Sequence, residues 1–286
     1  MYFGLSEEQQ FFQESIDKFL EDTVTVDALR SYRTGEDDNL IDDVFNGLNE
    51  LGLSGLIIPE EYGGLGLDSL FAISVSESLG KGVAPYPFIG SFLIAPFLIN
   101  KLGSDSQKQK YLPSIANGEY RFAVALTEMT GRRIEKGIQS SKQKLSGQSL
   151  FVMDDIHSTH YLILDSDGAL HIVEAEESGL EKVELKTVDI TSFVSELKLD
   201  QVKTEDLGNG PGNIDAIKQA INLGRVAIAA ETLGASQCML NRSVDYAKER
   251  KQFGRAIGSF QAVKHMCAQM ASDLEPCYSM VWYAAH

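Results

Sequence analysis

The sequence predicts an α+β fold, with an N-terminal helical domain (residues 1–118), a middle antiparallel β-domain (119–207) and a C-terminal helical domain (208–286). Three observations carry that prediction. Apolar residues recur at helical spacing through the first part of the chain. From about Glu119 the pattern becomes short alternating runs bounded by turn residues. Helical periodicity returns after Gly208-Asn209-Gly210-Pro211.

Each element has a local reason. Ser6 with Gln9 fits a capping box, and Phe11, Phe12, Ile16, Phe19 and Leu20 follow on one helical face. A second helix is expected at 42–51, stopped by Gly52. Leu56-Ile57-Ile58-Pro59 reads as extended, and Glu61-Tyr62-Gly63-Gly64-Leu65-Gly66 as a glycine loop. That loop lacks the spacing of a phosphate-cradling motif, so it supports nucleotide binding weakly. An amphipathic helix is expected over 69–79. Ala84-Pro85-Tyr86-Pro87 punctuates the chain before a helix through Leu102, and a short helix is expected over 106–116. Strands are expected at 121–127, 144–153, 161–164, 169–173, 185–189 and 195–202, with a hairpin turn at Asp165-Ser166-Asp167-Gly168. Two long helices, 214–247 and 260 to the end, complete the chain.

Composition narrows the function. The 286 residues, 43% of them hydrophobic, suffice for one to three domains. A formal net charge of −16, with no Lys/Arg-rich tract, argues against nucleic acid or an anionic membrane as partner. Cys238, Cys267 and Cys277 have neither disulfide nor metal-ligand spacing and read as small apolar residues in a reducing compartment, so no metal is expected. Neither a secretory leader nor a membrane-length apolar run is evident, which makes the cytoplasm the default location.

The chemistry concentrates in residues 246–261. A Glu-Arg-Lys cluster sits where a helix should end, Gly254 breaks the helix, and Ser259 is placed to cap the next. Arg250 and Arg255 bracket a turn carrying Phe253, with Gln261 close behind. Guanidinium groups grip phosphate oxygens bidentately, so the arrangement suits an anion. On spacing alone, cations compensating a helix dipole explain it as well.

The string YAKERKQFGRAIGSFQAVKH resembles the Arg-x-x-Phe-Gly…Gln segment of the flavin-dependent acyl-CoA dehydrogenases. Three further stretches are similar to that family in the same order: Ile58-Pro59-Glu60-Glu61-Tyr62-Gly63-Gly64-Leu65-Gly66, Tyr111-Leu112-Pro113-Ser114-Ile115-Ala116-Asn117-Gly118-Glu119 and Ala125-Leu126-Thr127-Glu128. The resemblance implies FAD as cofactor, an acyl-CoA substrate, α,β-desaturation, an electron-transferring flavoprotein as electron acceptor, and a homodimer, homotetramer or heterotetramer. It implies that Arg250, Gln252, Phe253, Phe260 and Gln261 contact the FAD of a neighbouring subunit. Leu126, Thr127 and Phe151 would line the flavin ring of this one. The chain looks most like bacterial branches that include heteromeric enzymes for bulky acyl groups such as steroid side chains.

Departures from the family pattern shape the expectation. Glu128-Met129-Thr130-Gly131-Arg132-Arg133 replaces a Pro-x-x-Gly-Ser-Asp loop, and Phe151-Val152-Met153 replaces Trp-x-Thr. The family's catalytic glutamate stands either on the long helix after the β-domain or in a later helical segment. On the helix the matching stretch is Leu223-Gly224-Arg225, which has no carboxylate, and the later segment would lie past His286, as would the remainder of a C-terminal bundle. Glu231 is the substitute candidate for the base, with helix packing or an inter-subunit contact as its alternative role. A non-catalytic partner subunit that completes a homologue's FAD site is the competing reading of the whole.

Overall fold

The computed structural model describes residues 6–36, 39–126, 137–208 and 213–286. The first helices are α1 (Glu7–Thr23), α2 (Val26–Thr34), α3 (Leu40–Glu50), α4 (Ser69–Gly82), α5 (Ala95–Leu102) and α6 (Asp105–Ala116), and a π-helical stretch, Phe88–Ile94, runs directly into α5. Next come β1 (Phe122–Ala125), β2 (Gln139–Ser141), β3 (Lys144–Met153), β4 (His160–Leu164), β5 (Leu170–Glu174), β6 (Leu180–Glu184), β7 (Val194–Lys203) and β8 (Glu205–Leu207). The last part holds α7 (Ile214–Glu249), the short strands β9 (Lys251–Gln252) and β10 (Arg255–Ala256), and α8 (Gln261–Ala285). This is the predicted α+β class.

The capping box of α1 is present, with the Gln9 amide donating to Ser6 Oγ at 3.2 Å and the Ser6 amide to Gln9 Oε1 at 2.9 Å. Ser104 and Gln107 repeat the device at α6. Gly52 ends α3 in the left-handed region, at φ 87°. Two expectations need correction, and one helix goes beyond them. Residues 56–59 are not extended: Leu56 has helical dihedrals and the Ile58 amide donates to Gly55 O at 3.2 Å, so Leu56 and Ile58 are apolar because a turn buries them. Residues 185–189 are not a strand either. The edge strand is β6, and the Asp189 carboxylate instead accepts from the Thr191 amide, Thr191 Oγ1 and Ser192 Oγ, which closes a turn. Helix α2 has no counterpart among the predicted helices; it is short and none of its residues is buried.

The chain divides into two compact units. One comprises Asp27–Asp68 and Pro85–Arg225 and holds the large sheet, with strand order β6-β7-β3-β1-β4-β5-β8 and β2 added on β3. Neighbouring strands pair antiparallel except β1 and β4, which run parallel from Phe122↔His160 to Ala125↔Ile163. Alternate residues of the sheet build its core: Ala123 and Ala125 on β1, Tyr161 and Ile163 on β4, Leu197 and Leu199 on β7. The opposite face of β1 is covered as well, since Phe122 and Val124 are buried and Ser91 Oγ of the π-helical stretch donates to Phe122 O at 2.7 Å. Phe45, Tyr86, Phe88 and Phe92 form an aromatic cluster beside it, with the Arg121 guanidinium 3.4 Å from the Phe45 ring centroid.

The other unit comprises Met1–Val26, Ser69–Ala84 and Val226–His286. Asp17 of α1 pairs with Lys81 of α4 at 2.5 Å, and Gln13 Nε2 donates to Ser74 O at 2.8 Å. Helices α4 and α7 cross in backbone contact. A β-carbon on Gly80 would overlap the Glu231 carbonyl, and one on Gly234 would overlap the Glu77 carbonyl.

Candidate functional site

Helix α7 ends at Glu249, before Gly254 is reached. The chain then folds back as a two-residue hairpin, Arg255 pairing with Gln252. Phe253 and Gly254, the central residues, have φ of 51° and 77°, and a turn with both values positive matches the twist of a tight hairpin. Ile257 N donates to Arg250 O at 2.8 Å, which closes the base of the hairpin. A β-carbon on Gly258 would lie 2.9 Å from Ala247 O, so the return strand is pressed onto the end of α7. Ser259 is not the cap of α8: its Oγ donates back to Ala256 O at 2.6 Å, and Phe260 takes the cap position without a side-chain bond. The serine is consumed in tightening the turn, and the first amides of α8 are left without a side-chain partner.

The hairpin brings together Phe253, Arg255 and Phe260. The Arg255 guanidinium stacks 4.2 Å from the Phe260 ring centroid, and the two phenyl rings meet edge-on at 6.1 Å. Phe253 is 92% exposed, an unusual state for so large an apolar side chain. Arg250 and Gln261 stand in solvent on either side, while Gln252 turns its amide back to Lys251 O at 2.9 Å. This end of the unit therefore offers guanidinium groups, an exposed aromatic and uncapped helix amides, a donor set suited to a phosphate-bearing, partly aromatic ligand.

The second group of predicted residues lies in the sheet-bearing unit. Thr127 and the Glu128-Met129-Thr130-Gly131-Arg132-Arg133 loop lie outside the described residues. Leu126, at the end of β1, is buried. Phe151 is 64% exposed and has φ 55°, on a stretch of β3 where the register with β7 slips between Ser149 and Val152. The bulge rotates Phe151 out of the sheet and leaves its ring free to cover a planar ligand. Asp154 follows, also at positive φ (58°), and its Oδ2 accepts from the Gly90 amide at 2.5 Å. Burial pushes this carboxyl up to about 6, against the backbone hydrogen bonds from Gly90 and Ser91 that favour its charged form. Asp154 was missed from sequence, where only a pair of aspartates after a strand marks it.

Two questions about chemistry receive structural answers. The glycine loop does not cradle phosphate. The amides of Gly64, Leu65, Gly66 and Leu67 donate to Pro59 O, Gly55 O, Ile58 O and Leu56 O, so its donors are consumed internally. A β-carbon at Gly64 would overlap Ile58 O, which makes the glycine a packing requirement. At Gly224 a β-carbon would meet Ile94 Cδ1 at 2.8 Å and Ile89 Cγ2 at 3.5 Å, so the position has no carboxylate, and a side chain there would have to displace the Ile94 methyl. Glu231 sits where α7 touches α4, its carbonyl against Gly80.

Residues 6–119 match the acyl-CoA dehydrogenase N-terminal domain, and residues 213–286 match the acyl-CoA dehydrogenase C-terminal domain. The chain belongs to the acyl-CoA dehydrogenase family. It is 31% identical to an acyl-CoA dehydrogenase of Bacillus subtilis over 82% of this chain and 67% of that protein. It is 28% identical to the caffeyl-CoA reductase–Etf complex subunit CarC of Acetobacterium woodii, over 100% of this chain and 80% of that one. Among solved structures, the ChsE4–ChsE5 complex from Mycobacterium tuberculosis superposes with a TM-score of 0.87 at 26% identity, covering 100% of this chain and 79% of that chain. Acyl-CoA dehydrogenases are flavoprotein oxidoreductases, generally dependent on FAD. Two features of this chain fit that cofactor: the guanidinium-and-aromatic hairpin suits a pyrophosphate, and the outward Phe151 ring suits a flavin face. No helix of the described residues is long and apolar enough to cross a membrane.

Proposed function

We propose that this chain is a subunit of an FAD-dependent acyl-CoA dehydrogenase that desaturates a CoA thioester between Cα and Cβ and passes the electrons to an electron-transferring flavoprotein. The observation that carries the reading is the Lys251–Ala256 hairpin, which spends two positive-φ residues to hold Phe253 and Arg255 outward. FAD, when bound, would supply the two-electron acceptor for the hydride leaving Cβ. Arg250 and Arg255 would neutralise its pyrophosphate, with Gln252, Phe253, Phe260 and Gln261 around them, for the FAD of a neighbouring subunit. Phe151 would cover the ring bound to this chain, with Leu126 and Thr127 beside it. The α-proton requires a carboxylate base, and within this sequence Glu231 is the candidate. A cytoplasmic homo- or hetero-oligomer is the corresponding assembly.

One observation favours a second reading. The packing of Ile94 against Gly224 supports a partner subunit that lacks its own base and completes the FAD site of a homologue. One experiment separates the two. The purified chain is examined for flavin absorbance and then mixed anaerobically with a panel of acyl-CoAs, including bulky and aryl esters. A yellow protein that bleaches supports the dehydrogenase. A protein that becomes yellow only when co-expressed with a homologue supports the partner role. A chain that stays colourless under both conditions overturns the proposal.

A further inference from the structure

We propose that Asp154 is a positioning residue: its carboxylate joins the Phe151 end of β3 to the start of the Phe88–Ile94 stretch, so that the Phe151 platform and the Ile89/Ile94 wall beside Gly224 hold one fixed relation. The proposal rests on the reading of Phe151 as a flavin cover. Three kinds of observation support it, all within the sheet-bearing unit.

The first is geometry. Asp154 Oδ2 accepts from the Gly90 amide at 2.5 Å, near the beginning of a helical stretch whose early amides have no intrahelical acceptor. Among the described residues Asp154 makes no ion pair, so its charge is balanced by backbone amides and the positive end of a helix. The second is fit. A β-carbon on Gly90 would stand 3.0 Å from Asp154 Oδ2 and 3.1 Å from Asp154 Cβ, so any side chain at residue 90 would crowd the carboxylate where it reaches the backbone. The third is backbone conformation. Phe151 and Asp154 both hold left-handed dihedrals, which aspartate tolerates but which are an outlier for a side chain as bulky as phenylalanine. The surroundings here include Asp155 N donating to Phe193 O at 3.2 Å and Ile156 N donating to Asp154 O at 3.0 Å. Ser91, next to Gly90, is tied to β1 through Phe122 O, so the joint is doubled. The far end of the same helical stretch carries Ile94, which closes the space at Gly224. One buried carboxylate thus sits between the two features that define the ring side and the base side of the proposed site.

The test is a double-mutant cycle on FAD affinity in the full-length protein, read by flavin fluorescence. F151A removes the platform, D154L removes the joint, and D154N keeps an acceptor oxygen that cannot ionise. F151A and D154L should each weaken FAD binding at least tenfold. Combined, they should lose little more than either alone, because a joint without a platform has nothing to position. D154N should restore most of the affinity at pH 7.5 and bind with less pH dependence than wild type between pH 5.5 and 7.5. Independent, multiplying losses would overturn the proposal. A wild-type chain that takes up no FAD defeats the flavin reading instead, and amide hydrogen exchange then decides on Asp154. D154L should speed exchange at Gly90 and Ser91 and also at Val152 and Met153, and unchanged protection at Val152 and Met153 rejects the joint.

Discussion

Ile94 Cδ1 lies 2.8 Å from the point that a β-carbon on residue 224 would occupy. Real β-carbons are not found so close to a neighbour, so the Ile94 terminal methyl, the far end of a flexible side chain in a buried position, would have to shift. Gly224→Ala is expected to cost about 1 kcal/mol, the scale of pushing one side chain off its preferred rotamer. Gly224→Glu is expected to cost more, because it adds a carboxylate among apolar side chains. Installing a base at this position therefore requires a second change. The double variant G224E/I94A should unfold at a higher urea concentration than G224E alone. If the two midpoints coincide, Ile94 is not what closes the position.

Glu77 titrates where few carboxylates do. Burial first, and the Asp17 carboxylate second, push it from 4.5 up to about 7, with Lys81 pulling the other way. Tyr278 of α8 also feels its charge. Since the folded state holds the proton more tightly than the unfolded chain, the contribution is fully present below about 4.5 and is lost as pH rises through about 7. The full excursion corresponds to about 3 kcal/mol, reduced by whatever solvent reaches the carboxyl. Glu77→Gln is always neutral and lacks this loss. The unfolding free energies of wild type and E77Q, measured from pH 5 to pH 8, should converge at the acidic end and separate in favour of E77Q at the basic end. Parallel curves would show that Glu77 carries its charge throughout.

A clasp in the sheet offers a test without any ligand. Asp165 follows β4, and its Oδ1 accepts the amides of Asp167 at 3.0 Å and Ala169 at 2.8 Å, which shapes the β4–β5 turn. Its Oδ2 meets His171 Nε2 at 3.0 Å, and Nδ1 of the same ring meets Asp206 Oδ1 on β8 at 2.9 Å. Asp165→Ala strips three bonds, two of them from the buried Ala169 and His171, and should cost about 2–4 kcal/mol. Asp206 is half exposed, and Asp206→Ala should cost about 1 kcal/mol or less. Urea unfolding of the two variants checks the order, and an equal loss from both would mean that the turn does not depend on Asp165.

What was legible in the sequence was local. The Ser6/Gln9 box, Gly52 beyond α3 and the Asp-Gly of the β4–β5 hairpin each act within a few residues, and each forms as the pattern predicts. The Phe253-Gly254 turn was legible for the same reason, although its hairpin strands and the true partner of Ser259 were not. Residues 56–59 misled because apolarity marks burial, and a turn can bury side chains as well as a strand does. Residues 185–189 misled because a β-branched run with Val188 fully exposed closes a turn instead of pairing. The remaining site features depend on distant partners. Asp154 meets an amide 64 residues earlier in the chain, and the crowding at Gly224 comes from side chains on a separate helical stretch. Neither leaves a periodicity or spacing to read.

The hairpin gives the sharpest division between charge and shape. Arg255 stacks on Phe260 with its guanidinium plane 4.2 Å from the ring centroid and has no ion-pair partner among the described residues. A lysine would keep the charge but lose the stacking and the bidentate grip on phosphate oxygens. If the group exists to hold a pyrophosphate, Arg255→Lys should weaken FAD binding about tenfold, and Arg255→Ala by more, while thermal stability changes by less than about 1 kcal/mol in either. Gly254→Val acts differently. Residue 254 sits at φ 77°, where a β-branched side chain is strained, so the turn should open and both affinity and hydrogen-exchange protection at Gln252 and Arg255 should fall together. Raising the salt concentration should narrow the gap between wild type and R255A but leave the G254V defect in place. Wild-type affinity in both arginine variants would return the hairpin to the role of a helix end dressed with cations.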